Sequence, residues 1–331
     1  MQNETEYLNY FLPEKSIKQE PYKDPDKSKL LIASTKKIIL FKDIDNYIPD
    51  NSIFVFNKSK VQKVRILEKK LTGGKIEIFI LELTSDFSAK CLIKSTDKKY
   101  IGKEYVLNSF NAKITDIKKD YFEILFSEKV LDLINNIGVL PLPPYIKEER
   151  YKFRYYNNQF SENGFSVASP TAGLHFSLEK IQSLKEKGHD VIYINLDVNL
   201  GTFKPINTKY IQDHKIHSEK YHISEFDFQK LLKHKKNNKN IICVGTTSLR
   251  TIESVFLSNK FYGETDLFIL PDTKLNLTTQ LITNFHAPKS SLLSIVQNVY
   301  GENWKELYSY AITNKMKFLS FGDAVLFDIN E

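Results

Sequence analysis

Arginine is scarce in this chain. Lys and Arg total 47 of 331 residues, yet only Arg65, Arg150, Arg154 and Arg250 are arginine. Lysine cannot reproduce the planar, bidentate grip of a guanidinium on carboxylate or phosphate. Each retained arginine is therefore a candidate for that task. Cysteine is scarcer still. Cys91 and Cys243 each sit in an apolar, β-like run, which excludes a disulfide framework and a cysteine-built metal site and points to a reducing compartment. No apolar run approaches the ~18 residues of a membrane span, and the first residues, MQNETEYLNYFLPEKS, lack the apolar segment of a leader peptide. A cytoplasmic protein with no membrane partner is expected.

What is present is enough for a core. Hydrophobic content of 41% with 13% aromatics excludes disorder, and the length suits one large domain or two ordinary ones. A formal net charge of +7 permits an acidic partner, nucleic acid above all. Most of that charge is lysine, dispersed along the chain among Asn, Ile and Tyr.

The periodicity changes along the chain. A Pro-punctuated lead-in ends in an apolar strand at 52–57. Residues 75–83, 90–94, 104–108, 112–118 and 121–126 are short, largely alternating segments separated by turn signals such as Gly73-Gly74. That pattern predicts a small antiparallel β-barrel. One helical turn pattern follows from Val130, stopped by Gly138 and then by Pro141, Pro143 and Pro144. Beyond those prolines strands alternate with helices: helices at 178–187, 224–236, from 248, 290–300 and 304–314, and strands at 190–198, 240–244, 281–284 and 318–327. The fold class expected is α/β, with an α/β catalytic domain at 1–62 and 140–331 and an inserted barrel domain at 63–139.

Five strings in the second half are polar where strands should meet helices: PTAGLHF, NLGTFKPI, DHKIHSE, VGTTSLRTIES and TNFHAPKSSLL. Burying such groups unpaired costs free energy, so a ligand site at the carboxyl ends of strands explains them better than packing does. Gly245 ends a strand and Thr246 and Thr247 open a helix, an arrangement that favours an anion or serves as an ordinary cap. His214 and His217 are three apart and neighbours if helical, flanked by Asp213 and Glu219. They suit a divalent metal or a metal-free acid/base cluster. Thr171, Gly173 and His175 precede a helix, Gly201 and Thr202 make a turn after a strand, and His286 ends another.

In this order, the strings resemble the S-adenosylmethionine:tRNA ribosyltransferase-isomerase family of queuosine biosynthesis, and the resemblance runs from LPEKSIKQEP to FLSFGDAVLF. It implies transfer and isomerisation of the ribosyl part of S-adenosylmethionine onto 7-aminomethyl-7-deazaguanine at the wobble position of tRNA with a GUN anticodon. Epoxyqueuosine is formed, and adenine and methionine leave. S-adenosylmethionine is then a co-substrate, with no bound cofactor and no metal, and the protein is expected to be a monomer. The sulfonium makes C5′ acidic, so the chemistry needs a base there and an acid for the departing adenine. His217 and His175 are the candidates, with Asp213 and Glu219 orienting or anchoring them. Thr171, Gly173, Gly201, Thr202, Thr246, Thr247, Arg250 and His286 are the candidate co-substrate ligands.

The chain departs from the family pattern in its first third, carrying Glu20 where a Tyr is usual, and Lys29 and Lys60 where Arg is usual. These departures motivate a second reading, a divergent paralogue that binds RNA or S-adenosylmethionine with altered or lost turnover. A third is a metal-dependent hydrolase centred on His214, His217 and Glu219.

Overall fold

A computed structural model describes residues 4–71, 73–95, 104–147, 156–199, 201 and 204–329. The chain forms two compact units, Met1–Lys60 with Pro144–Glu331, and Val61–Pro143. In chain order, β1 (Lys29–Ile32), β2 (Lys37–Leu40) and β3 (Ile53–Asn57) belong to the first unit. The second unit holds β4 (Arg65–Lys69), β5 (Lys75–Leu83), β6 (Ser88–Ser95), β7 (Glu104–Val106), β8 (Asn111–Ile117), β9 (Phe122–Phe126), helix α1 (Val130–Asn136) and β10 (Gly138–Val139).

These seven strands form one antiparallel sheet in the order β10-β4-β5-β6-β9-β8-β7. The sheet curls until residues just beyond β4 and β7 meet in an isolated bridge between Lys70 and Leu107. Alternation is plain in β8, where Ala112 and Ile114 are buried between exposed neighbours. Helix α1 ends just before Gly138, a position held by glycine because a Cβ there would lie 2.1 Å from the Lys63 carbonyl oxygen.

The first unit continues with α2 (Leu178–Glu186), β11 (Asp190–Leu196), β12 (Glu219–His222), α3 (Glu225–Lys236), β13 (Ile241–Val244), α4 (Thr246–Ser258), β14 (Tyr262–Thr265), β15 (Gln280–Asn284), α5 (Ser291–Tyr300), α6 (Trp304–Thr313) and β16 (Ala324–Asp328). Its sheet runs β14-β12-β11-β3-β13-β15-β16-β1-β2, with β11, β3, β13 and β15 parallel. Core packing covers both faces of these strands. Ile53, Val55, Ile241, Cys243 and Leu281 pack on one side, and Phe54, Phe56, Ile242, Val244 and Ile282 on the other. Continuous apolar runs, and not alternating ones, are what a sheet buried on both faces requires. Both cysteines are free and buried. Ser177 and Ser224 cap α2 and α3 by accepting the amide protons of Lys180 and Asp227.

Strands β1, β2, β12 and β14 go beyond the sequence expectation, and two segments depart from it. The closing strand begins only at Ala324, because Asp323 ties the preceding segment into a turn, accepting from Lys317 N at 2.7 Å and Lys29 N at 2.9 Å. The DHKIHSE segment is not a helix. A short 3-10 turn covers Ile211–Asp213, and Glu219 already opens β12. No helix among the described residues is long and apolar enough to cross a membrane.

Candidate active site

The four parallel strands end at Asn57, Leu196, Val244 and Asn284 along one edge of the sheet. Gly245 lets the chain turn from β13 into α4 at φ +91°, a conformation that disfavours any side chain. Its amide donates to Ile282 O at 2.8 Å, and α4 starts without a side-chain cap. The free N–H groups of that first turn border a cavity of about 250 Å³ lined by Gly245, Thr246, Thr247, Thr171, Asn284 and His286, among others. Ser290, the N-cap of α5, lines the same cavity, and its hydroxyl makes no capping bond. Three lining hydroxyls, on Ser169, Thr247 and Ser290, are buried without a hydrogen-bond partner. Orphaned polar groups at two helix starts mark this cavity for a polar or anionic ligand.

His175 sits behind that cavity, 4% exposed and stacked on Phe41 at 5.0 Å between ring centroids. Its Nδ1 is 2.9 Å from Ser28 Oγ, and its Nε2 is 3.2 Å from Asn284 Nδ2. Thr171 Oγ1 donates to Asn284 Oδ1 at 2.9 Å. Burial without a countercharge lowers the imidazole to about 4, so the ring is neutral. His286 is likewise buried, its Nε2 3.2 Å from Thr283 Oγ1, and burial takes it down to about 3.

The DHKIHSE segment borders a second, smaller cavity of about 50 Å³, lined by Gly201, His214, His217, Glu219 and Arg250 among others. Gly201 lies close against the exposed His217: a Cβ would stand 2.7 Å from His217 Cδ2, so the imidazole would have to shift. Glu219 and Arg250 form a buried ion pair. Glu219 Oε1 also accepts from Asn199 N at 2.8 Å, and Arg250 Nε donates to Leu267 O at 3.0 Å. Arg250 Nη2 is left without a partner. Desolvation, and then the neighbouring His217, lower His214. Asp213 is exposed and outside this lining. Among the described residues, no group of three His, Cys, Asp or Glu side chains is placed to hold a metal ion.

The structure thus brings Thr171, Thr246, Thr247 and His286 to one cavity, and Gly201, His217, Glu219 and Arg250 to another. His175 and His217 line different cavities. Gly173 lies beside the Asn158 amide, 2.6 Å from where its Cβ would stand, and Thr202 lies outside the described residues. Of the departures, Lys60 and Glu20 are exposed, whereas Lys29 contributes its amide to Asp323. Sequence reasoning passed over Ser28, Asn158, Ser169, Asn284 and Ser290, because Ser and Asn in loops are common and only their burial singles them out.

The queuosine biosynthesis protein family matches over residues 5–327. A Thermosipho africanus protein, named S-adenosylmethionine:tRNA ribosyltransferase-isomerase, is 38% identical over 96% of this chain and 97% of its own. A Clostridioides difficile protein of the same name is 34% identical over 97% and 99%. The crystal structure of S-adenosylmethionine tRNA ribosyltransferase from Thermotoga maritima aligns with a TM-score of 0.54 at 29% identity, covering 97% of this chain and 99% of that one. The chain belongs to the queuosine biosynthesis protein family.

Proposed function

We propose that this family member transfers and isomerises the ribosyl moiety of S-adenosylmethionine onto 7-aminomethyl-7-deazaguanine at the wobble position of GUN-anticodon tRNA. The product is epoxyqueuosine-tRNA, with adenine and methionine released. The curled sheet of the second unit is then a small barrel inserted into the α/β unit. The protein acts as a monomer in the cytoplasm.

The observation that carries this reading is the cavity of about 250 Å³ at the starts of α4 and α5. S-adenosylmethionine presents a carboxylate, two ribose hydroxyls and a sulfonium. The N–H groups at Thr246 and Thr247 suit the carboxylate. The hydroxyls of Thr171, Thr247, Ser169 and Ser290 suit the ribose. His286, neutral and buried, closes the wall. His217, beside Gly201 in the adjoining 50 Å³ cavity, is the group that takes the C5′ proton. Glu219, itself held by Arg250, holds the Asn199 amide beneath it, Arg250 Nη2 remains for ligand, and Asp213 anchors the exposed rim. His175 acts through Asn284 and is a positioning residue in this scheme.

The test is turnover. The protein is incubated with S-adenosylmethionine and tRNA bearing 7-aminomethyl-7-deazaguanine, and the digested tRNA is searched by mass for epoxyqueuosine alongside free adenine. Product that survives a chelator and disappears in His217→Ala is expected. Absence of both product and adenine overturns the reading.

A further inference from the structure

Behind the His175 wall lies a third cavity, of about 500 Å³, in the same unit. Its lining includes the rings of Tyr22, His175, Phe176 and Phe321, with Asn158 and Ser320 between them. Ser320 lines the 250 Å³ cavity too, so the two share a wall. His175 belongs to that wall from one side, while its partners Asn284 and Thr171 belong to it from the other.

Asn158 is the informative residue. It is 5% exposed, donates Nδ2 to Pro170 O at 3.3 Å, and leaves Oδ1 buried without a partner. The Nδ2 bond settles the orientation of the amide, so the unsatisfied atom is an acceptor. Its place is held by Gly173, where any side chain would strike the amide at 2.6 Å. A buried acceptor without a donor is costly. The ligand class that answers it carries N–H groups on one edge and a flat face for aromatic walls. An extruded purine-like base has both, and enzymes that modify a base within a folded nucleic acid take it out of its stack into such pockets.

We infer that the 500 Å³ cavity receives the extruded acceptor nucleobase, with Asn158 Oδ1 accepting from its N–H edge. The juxtaposition of the two cavities across Ser320 and the His175–Asn284 pair sets that base against the co-substrate. This assignment rests on the proposed function and adds the location of its second substrate.

The probe is an anticodon stem–loop carrying 7-aminomethyl-7-deazaguanine at the wobble position, beside an otherwise identical stem–loop abasic there. Asn158→Ala should weaken binding of the modified stem–loop about tenfold, the worth of one buried hydrogen bond. It should leave abasic binding and the dissociation constant for S-adenosylmethionine unchanged. Equal weakening of both stem–loops, or no weakening of either, overturns the assignment. A photoreactive 6-thioguanine at the wobble position, cross-linked to the unsubstituted protein, tests it without any variant. Adducts on the Tyr22, Phe176 or Phe321 peptides support it, and adducts confined to 283–290 overturn it. Adenine release by the unsubstituted protein separates the two failures: without it the proposed function falls, and with it only the cavity assignment does.

Discussion

Ser28 Oγ lies 2.9 Å from His175 Nδ1 and also donates its one proton to Pro25 O at 2.7 Å. The serine can therefore only accept from the imidazole, so His175 carries its proton on Nδ1 and presents Nε2 as an acceptor. Asn284 Nδ2 occupies that acceptor, which turns Asn284 Oδ1 toward the Thr171 hydroxyl. A residue in the lead-in thus sets the orientation of an amide at the end of β15. Ser28→Ala should cost about 1–2 kcal/mol through the bond it leaves unmade. Nitrogen NMR of the imidazole should show the Nδ1-protonated form in the unsubstituted protein and a mixture in the variant. In a turnover assay the loss should fall on kcat more than on KM for S-adenosylmethionine, whereas a merely local packing defect would move neither.

Acid should destabilise the protein through its buried histidines. His175 at about 4 and His286 at about 3 lie below the ordinary 6.5, so the unfolded chain binds protons that the folded chain refuses. Their contribution is fully present above pH 6.5 and is lost as pH falls toward 4 and then 3. Each is worth on the order of a few kcal/mol across its window. Thermal midpoints measured from pH 7 to pH 4 should fall less steeply in His286→Gln than in the unsubstituted protein. Parallel slopes would contradict the assignment.

The Glu219–Arg250 pair should behave as a unit. Both side chains are buried, at 4% and 7% exposure. Removing either partner strands the other charge, at a cost of about 3–5 kcal/mol. Arg250→Met combined with Glu219→Leu should cost clearly less than the sum of the single changes. Chemical denaturation of the four proteins measures this coupling. Arg250→Lys should recover little, since lysine cannot serve Glu219 and Leu267 O together as the guanidinium does.

Gly245→Ala places a side chain at φ +91°, with its Cβ in contact with Ala172 Cβ at 3.4 Å. A strain of about 1–3 kcal/mol is expected. Relief of that strain would move the first turn of α4. Equilibrium dialysis should then show S-adenosylmethionine bound about tenfold more weakly than by the unsubstituted protein, while a denaturation midpoint lowered without loss of affinity would separate the turn from the site.

Much of the site was legible as strings and little of it as geometry. Gly245, Thr246 and Thr247 announced a strand-to-helix turn, because that turn needs a positive φ and free amides, and both are written in residue type. The pairing of Arg250 with Glu219 was not visible, since the two are brought together only when α4 packs onto the sheet that contains β12. In the VGTTSLRTIES string, Glu253 does not face a ligand. It binds the backbone of Asn276, Leu277 and Thr278 and folds the loop before β15. Helical spacing placed His214 and His217 near one another for the wrong reason, for residues 214–218 form no helix. They meet because both border the same small cavity.

By itself, the amino-acid sequence determined the central parallel strands and the long helices, the change of period at the insertion, the family and the loops that carry polarity. These follow from local spacing, from backbone restrictions at glycine and proline, and from runs of residues that a local segment expresses alone. Tertiary structure alone decided which polar groups share a cavity and which are left without a partner. It set the tautomer of His175 through Ser28, 147 residues away in the chain, and it separated His175 from His217 into different cavities. Such relations depend on hydrogen bonds and burial between segments distant in sequence, and residue type carries no record of them until the sheet has formed.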